Sequence, residues 1–226
     1  MKLVGMLALV FFAVVLFSSQ MLLRLIESRL VADLKEQYGL KEEPAVEVYS
    51  SFPPEFLMGR IEQIELQVDR FLQEGVLLRD LYINLEEVDI SVRSLLQRNL
   101  EHENRSASLV AEVPEDSISD YLRKKDLLAL YGGEIDVRSQ DIVYRSADTL
   151  FGLPISVGLD LQVSGPDRIE VVPQEAAVGE FVLPPSLMRS LTPEERTLDF
   201  GELPLGVELR SVEPFSEEAL VMRAEK

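Results

Sequence analysis

From Val46 to Met222 the chain alternates apolar and polar residues in run after run, with short breaks between them. Successive side chains of a strand point to opposite sides, so a period of two marks strands with one buried and one wet face. The runs are Val46/Val48, Ile64/Leu66/Val68, Leu81/Ile83/Leu85, Val88/Ile90/Val92, Leu109/Ala111/Val113, Ile135/Val137, Ile142/Tyr144, Ile155/Val157/Leu159/Leu161/Val163, Ile169/Val171, Leu205/Val207/Leu209 and Leu220/Met222. Gly75, Gly132-Gly133, Ser164 to Asp167 and Pro214 to Ser216 separate them as turns. Clean alternation with short connections predicts an antiparallel meander; parallel strands are apolar on both faces and need long crossovers.

Helical patterns are short: Pro54 to Met58, Val92 to Asn99, Glu115 to Lys124 and Pro185 to Leu191. In the third, Asp116 is placed to cap the start, Ile118, Tyr121 and Leu122 form an inward face, and Arg123, Lys124 and Lys125 complement the dipole at the end. Roughly ten strand faces therefore need covering with little helix to cover them. The strands must cover one another, either as a self-packed sandwich or as a strongly curved half-pipe holding a helix or an apolar ligand. Aromatic residues make up 7% of the chain and tryptophan is absent, so the inward set is mostly Val, Ile, Leu and Ala. Side chains of that size leave room for acyl chains, and they fill a sandwich equally well.

The N-terminus adds a second constraint. Leu3 to Leu23 carries no charge, and about twenty apolar residues in a helix cross a bilayer core of roughly 30 Å. The rival is a cleaved signal peptide, with Lys2 as n-region, Leu3 to Phe17 as h-region and cleavage after Ser18 or Ser19. No A-x-A site is present, and those cuts would put Leu16 or Phe17 where a small residue is wanted, so an uncleaved anchor is the preferred reading. Beyond it Leu23, Ile26, Leu30, Leu34 and Tyr38 repeat at spacings of three and four, one face of a helix that Gly39 ends and Pro44 keeps from resuming. The expected organisation is an anchor or signal over 1–23, an amphipathic helix over 24–40 and one folded domain over 44–226. Lys2 precedes the span while Arg24, Arg29 and Lys35 follow it, so charge bias does not favour export of the C-terminal part; a short head before a long domain does.

A net charge of −18, from 40 acidic and 22 basic residues, is the wrong sign for a nucleic-acid surface. Without cysteine there are no disulfides, thiolate metal sites or cysteine nucleophiles. The single histidine, His102, lies in Glu101-His102-Glu103-Asn104-Arg105, read as a polar loop. Glu86, Glu87 and Asp89 resemble a cation site only in charge, because alternation turns neighbours to opposite faces, and Gly132-Gly133 lacks any phosphate-cradling frame. No catalytic constellation, metal site or cofactor site emerges, which favours a non-enzymatic protein. One internal echo pairs Leu153-Pro154-Ile155-Ser156-Val157-Gly158-Leu159 with Leu203-Pro204-Leu205-Gly206-Val207-Glu208-Leu209, read as two strand starts since proline suits the first residue of a strand.

The order of features resembles a bacterial family. After the hydrophobic segment and amphipathic helix come Ser51-Phe52-Pro53-Pro54-Glu55-Phe56-Leu57-Met58-Gly59-Arg60, similar to a G-x-P-x-L-x-x-x-x-G signature, and Gly75-Val76-Leu77-Leu78-Arg79-Asp80-Leu81, similar to a characteristic strand. Val88-Asp89-Ile90-Ser91 then leads to Leu95-Leu96, and Leu203-Pro204-Leu205-Gly206-Val207 matches a late L-P-x-G-[LV] element. These resemble the LmeA-like phospholipid-binding family, some members of which serve lipomannan maturation. Ser51 in place of the usual glycine and the Pro53-Pro54 pair depart from the pattern. The resemblance implies an extracytoplasmic, membrane-associated domain that binds phospholipid, with a curved sheet and helix similar to tubular lipid-binding proteins. A groove of that kind would be lined by Leu30 and Leu34 of the helix, by Leu66, Ile83, Val157, Leu159 and Leu161 of the strands, and by the Phe52, Phe56 and Leu57 cluster, read either as a packed lid or as a gate dipping into the membrane. Phospholipid and membrane are the expected partners, with no cofactor; protein partners stay open, and so does a self-packed structural or protein-binding module of the envelope.

Overall fold

The computed structural model describes residues 21–36, 38–40, 42–50, 58–90, 102–124, 133–138, 142–150, 152–184, 197–216 and 218–226. Its strands form two antiparallel sheets. The first contains β1 (Ala45–Tyr49), β2 (Arg60–Gln73), β3 (Val76–Ile90), β4 (His102–Pro114), β12 (Ala219–Glu225) and β11 (Glu208–Pro214), in that spatial order. The second runs β10 (Thr197–Asp199), β8 (Arg168–Val178), β7 (Leu153–Val163), β6 (Ile142–Leu150), β5 (Gly133–Val137), with the two-residue β9 (Phe181–Val182) also paired to β8. Helix α1 covers residues 21–36, and α2 (Glu115–Lys124) joins the two sheets in sequence.

The expectation of one strongly curved sheet is corrected: there are two sheets and neither is strongly curled. Alternation reports which side of a strand is wet and is silent on which strand it pairs with. Here α2 interrupts the meander after β4, the next six strands build a new sheet, and the last two return to the first. Among the described residues no helix is long and apolar enough to cross a membrane; the run Leu3 to Gln20 lies outside them. So do the expected helices over 92–99 and 185–191 and nearly all of 54–58, where only Met58 is described, in a turn.

By its contacts the chain divides into two compact units. The first comprises Met1–Asp69 and Tyr82–Ser108. In it the apolar side of α1 is covered, with Ile26 and Leu30 buried and Leu23, Leu34 and Tyr38 half-buried. β1 pairs with β2 from Ala45 opposite Gln67 to Tyr49 opposite Gln63. Leu81/Ile83/Leu85 and Val88/Ile90, read from sequence as separate strands, belong to the single strand β3. Glu87 takes a left-handed conformation, φ 49°, and Asp80 does the same at φ 47°. Each lies where the buried side skips by three residues, from Leu85 to Val88 and from Leu78 to Leu81, so the strand continues while its parity changes.

The second unit comprises Arg70–Leu81 and Leu109–Lys226. The β2–β3 turn has positive φ at both central residues, Glu74 (48°) and Gly75 (91°), the backbone that a two-residue hairpin favours. α2 begins directly after Pro114, so Asp116 sits in its first turn and is not its cap; the Glu115 N–H donates to the Glu218 carbonyl, 3.0 Å. Its side chains satisfy strand amides. Ser117 Oγ accepts from Leu77 N–H, Ser119 Oγ from Ile135 N–H at 3.2 Å, and the Glu115 carboxylate from Val137 N–H at 2.8 Å. Ile118 and Tyr121 are buried, and Tyr121 Oη accepts from Asp199 N–H at 3.2 Å. The internal echo yields two different structures. Leu153-Pro154 opens β7, whereas Pro204–Gly206 is one turn of 3-10 helix with Leu205 at φ 62° and Gly206 at φ 66°. The expected strand over Leu205/Val207 is thus corrected to a turn, with β11 starting at Glu208; Gly206 permits the left-handed step that Ser156 at the matching position would resist.

Candidate functional site

The expected lining residues divide between the two units. In the first, Leu30 is buried, Leu34 half-buried, and Leu66 and Ile83 are sealed at 2% and 4% exposure. Leu66 and Ile83 lie equally far from the β2–β3 turn, a spacing kept to the strand ends, where Ile90 N–H donates to the Gly59 carbonyl at 2.7 Å. Phe52, Phe56 and Leu57 lie outside the described residues.

In the second unit Val157, Leu159 and Leu161 follow one another along one side of β7. Val157 sits between Tyr144 of β6 and Ala176 of β8, its register partners, and these three form a small buried cluster. Leu159, opposite Ile142 and Pro173, packs on that cluster together with Leu183 and stays half-buried. Leu161, opposite Val171, is also half-buried, and Val163 reaches 36% exposure. The register of β8 slips by one between Gly158 and Leu159, because Gly158 pairs with Glu175 and Leu159 with Pro173. Gln174 is the extra residue, and it switches the buried side of β8 from Ile169/Val171 to Ala176/Val178.

Leu159 also borders a shallow depression of about 600 Å³, with Ile142 and Val143 beside it and Arg138, Arg145 and Gln174 around it. Arg138 and Arg145 both pair with Asp136, at 3.1 and 2.6 Å, so one carboxylate holds two guanidinium groups; the register puts Asp136 and Arg145 with Val143, Ser156 and Gly158, on the side of the sheet opposite Tyr144 and Val157, where Asp160 and Glu175 also line the depression. This trio was not legible in the sequence. It is assembled by the β5–β6 hairpin, whose register sets Glu134 opposite Arg145 and Asp136 opposite Val143. The first unit has a separate open depression of about 740 Å³ with Ile61 and Val88 in its wall and the ion pairs Arg60–Asp89 (3.8 Å) and Arg105–Glu87 (2.9 Å) in its lining. Glu87 engages Arg105 through both carboxylate oxygens and pushes the guanidinium pKa further up. Glu86, Glu87 and Asp89 thus have separate partners, the first accepting from Ser106 Oγ at 3.1 Å. On the wet side of β1–β3, Tyr49 donates to Glu47 and its pKa is pushed up to about 12 by that hydrogen bond. Burial first, then a hydrogen bond to Glu65, raises Tyr82 as well.

His102 opens β4 and is not in a loop. Among the described residues no group of three or more His, Asp or Glu side chains could hold a metal ion.

The match to the LmeA-like phospholipid-binding family runs over residues 18–218. The chain belongs to that family. The LmeA-like match takes in α1, the whole second sheet and β11, and it stops just before β12. The family's name describes binding of a phospholipid and not catalysis upon one. No curated protein and no solved structure matches the chain.

Proposed function

We propose that this LmeA-like chain is a membrane-tethered, extracytoplasmic, non-enzymatic phospholipid-binding protein of the cell envelope that supports lipid or lipoglycan maturation or transfer. The observation that carries the reading is the incompletely covered apolar stripe of β7. Leu159, Leu161 and Val163 alternate toward one side, yet Leu159 and Leu161 are only half-buried and Val163 is exposed. A strand face left open to water is unfavourable by roughly 25 cal/mol per Å² of apolar surface, and an acyl chain laid along it recovers that free energy at about 0.8 kcal/mol per buried methylene.

The test uses the full chain in proteoliposomes containing a phosphatidylcholine with a photoreactive group in its acyl chain. Adducts are expected at residues 157–163, and Leu159→Lys is expected to remove them while Glu170→Lys, on the neighbouring strand, leaves them. Adducts confined to Leu3 to Leu23 would overturn the reading.

Tethering rests on the uncharged Leu3 to Leu23 run and its poor cleavage site. Full-length protein should remain in membrane fractions, and a soluble form beginning near Gln20 would refute an anchor. Export rests on the family resemblance and on the signal-like run Leu3 to Phe17. A phosphatase joined after Lys226 should be active, and a silent phosphatase with a fluorescent cytoplasmic reporter at the same place would place the domain inside.

A specific observation favours a second reading, a self-packed envelope module that binds protein. Leu66 and Ile83, both expected to line the groove, are sealed within the first unit. Failure of lipid to label a folded chain anywhere outside the anchor would favour it.

A further inference from the structure

We propose that the paired tips of the β6–β7 and β8–β9 hairpins form a docking surface that dips into a neutral phospholipid bilayer. Both hairpins turn in two residues at the same end of the second sheet. Leu150 pairs with Leu153 across the first turn and Val178 with Phe181 across the second, while Ile155 pairs with Val178 between them. The turns touch, since a Cβ on Gly179 would stand 3.4 to 3.6 Å from the Leu153 side chain.

What this end presents is apolar. Phe181 and Val182 are 71% and 62% exposed, and Leu150 and Leu153 stand exposed beside them. In a chain of net charge −18, the described residues of 149–154 and 178–184 contain one charged side chain, Glu180. A surface that avoids charge within so acidic a chain fits a neutral lipid surface, whereas an anionic one would repel the chain as a whole.

The backbone at the tip is also prepared for a dry environment, where an unpaired amide or carbonyl is costly. Gly179 N–H donates to the Pro154 carbonyl at 2.8 Å, Leu183 N–H donates to the Ala176 carbonyl at 2.8 Å, and Pro154 and Pro184 have no N–H to satisfy. Gly152 and Gly179 supply positive φ, 78° and 62°, one in each turn, with Glu180 as the other residue of the β8–β9 turn. A charge-poor pair of turns flanked by the exposed Phe181 and Val182 fits the headgroup-acyl boundary better than a protein groove, with the Glu180 carboxylate of the second turn in the headgroup layer.

The proposal rests on the phospholipid reading above but concerns a different contact, with the membrane surface and not with a lipid held on β7. Because the chain has no cysteine, a single introduced thiol labels one position. Phe181→Cys and the control Leu72→Cys, at a position of similar exposure (66%) in the second unit, would each carry an environment-sensitive fluorophore on the full chain in phosphatidylcholine proteoliposomes. The label at 181 is expected to shift to the blue and to lose emission when the lipid carries spin labels in its acyl chains, and the label at 72 to do neither. Equal quenching at both positions, or none at 181, would overturn the proposal. So would ready disulfide-linked dimerisation of Phe181→Cys without quenching, which would assign the tip to a second copy of the chain. Acyl photo-adducts on β7 without quenching at 181 would leave the lipid-binding reading standing and sink the tip. Quenching without those adducts would do the reverse.

Discussion

On β2 and β3 the alternating apolar residues are buried throughout, from Ile61 to Phe71 and from Val76 to Ile90, whereas on β7 full burial ends at Val157, Leu159 and Leu161 are half-buried and Val163 is exposed. Both regions show the same residue types at the same spacing, so the difference is one of cover. The first is a ribbon whose whole alternating stripe is buried, while Leu72 and Tyr82 on its other side are exposed. The second leaves part of its stripe incompletely covered, and on the reading proposed above it is there, not on the β2–β3 ribbon, that an apolar ligand would lie.

A lysine placed on each stripe breaks the comparison most directly. Ile83→Lys buries an unpaired ammonium, and a loss of roughly 3 kcal/mol or more from a total of about 5–15 kcal/mol is expected, seen as a lower urea midpoint or an unfolded chain. Leu159→Lys, half-buried at a depression, should lose less than about 1 kcal/mol because its stem can lie on the apolar surface with the ammonium in water. Equal losses for the two variants would show the stripes to be equally closed.

Gly133→Ala asks whether the β5–β6 edge of the second sheet is packed as tightly as β2–β3. A Cβ there would stand 2.2 Å from the Arg145 carbonyl and 2.6 Å from the Tyr144 ring, so a destabilisation of about 1–3 kcal/mol is expected by thermal unfolding. An unchanged midpoint would mean that this edge yields freely. Ser119→Ala leaves the Ile135 N–H without its acceptor, and a loss of roughly 1 kcal/mol is expected in the same assay. A smaller effect would indicate that water reaches that amide.

The smallest effect lies on the wet side of the first unit. Tyr49 titrates at about 12 against an ordinary 10.0. Below the ordinary value its phenol is protonated folded or unfolded; through the window up to about 12 the unfolded phenol ionises first, so folded stability declines as pH rises. The ultraviolet tyrosinate signal lost in Tyr49→Phe should therefore appear near the upper value, and Glu47→Gln should return it toward the lower. A normal titration of Tyr49 in the unaltered chain would remove the Glu47 hydrogen bond as its cause.

The strand residues and the helix over Glu115–Lys124 were readable because burial periodicity is local: a side chain's direction follows from its neighbours'. Strand boundaries were less so. Leu85 to Val88 looks like the end of one strand and the start of another, since no pattern announces that Glu87 will adopt positive φ and let the strand run on. Of the expected site, Val157, Leu159 and Leu161 do share one side of β7, but the Arg138–Asp136–Arg145 trio on the other side of that sheet depends on hairpin register, to which alternation is blind.

By itself the sequence determined that the chain is mostly antiparallel β, that one face of each strand is apolar, and, through its match over 18–218, that it belongs to a phospholipid-binding family. The tertiary structure decided that the strands form two sheets, that Leu66 and Ile83 are sealed while Leu159 and Leu161 are not, and that Leu153 and Phe181 meet at one exposed end. Periodicity is set by the backbone's two-residue repeat and survives in any single strand. Cover depends on which distant segments arrive over each face, a long-range property that no local pattern encodes.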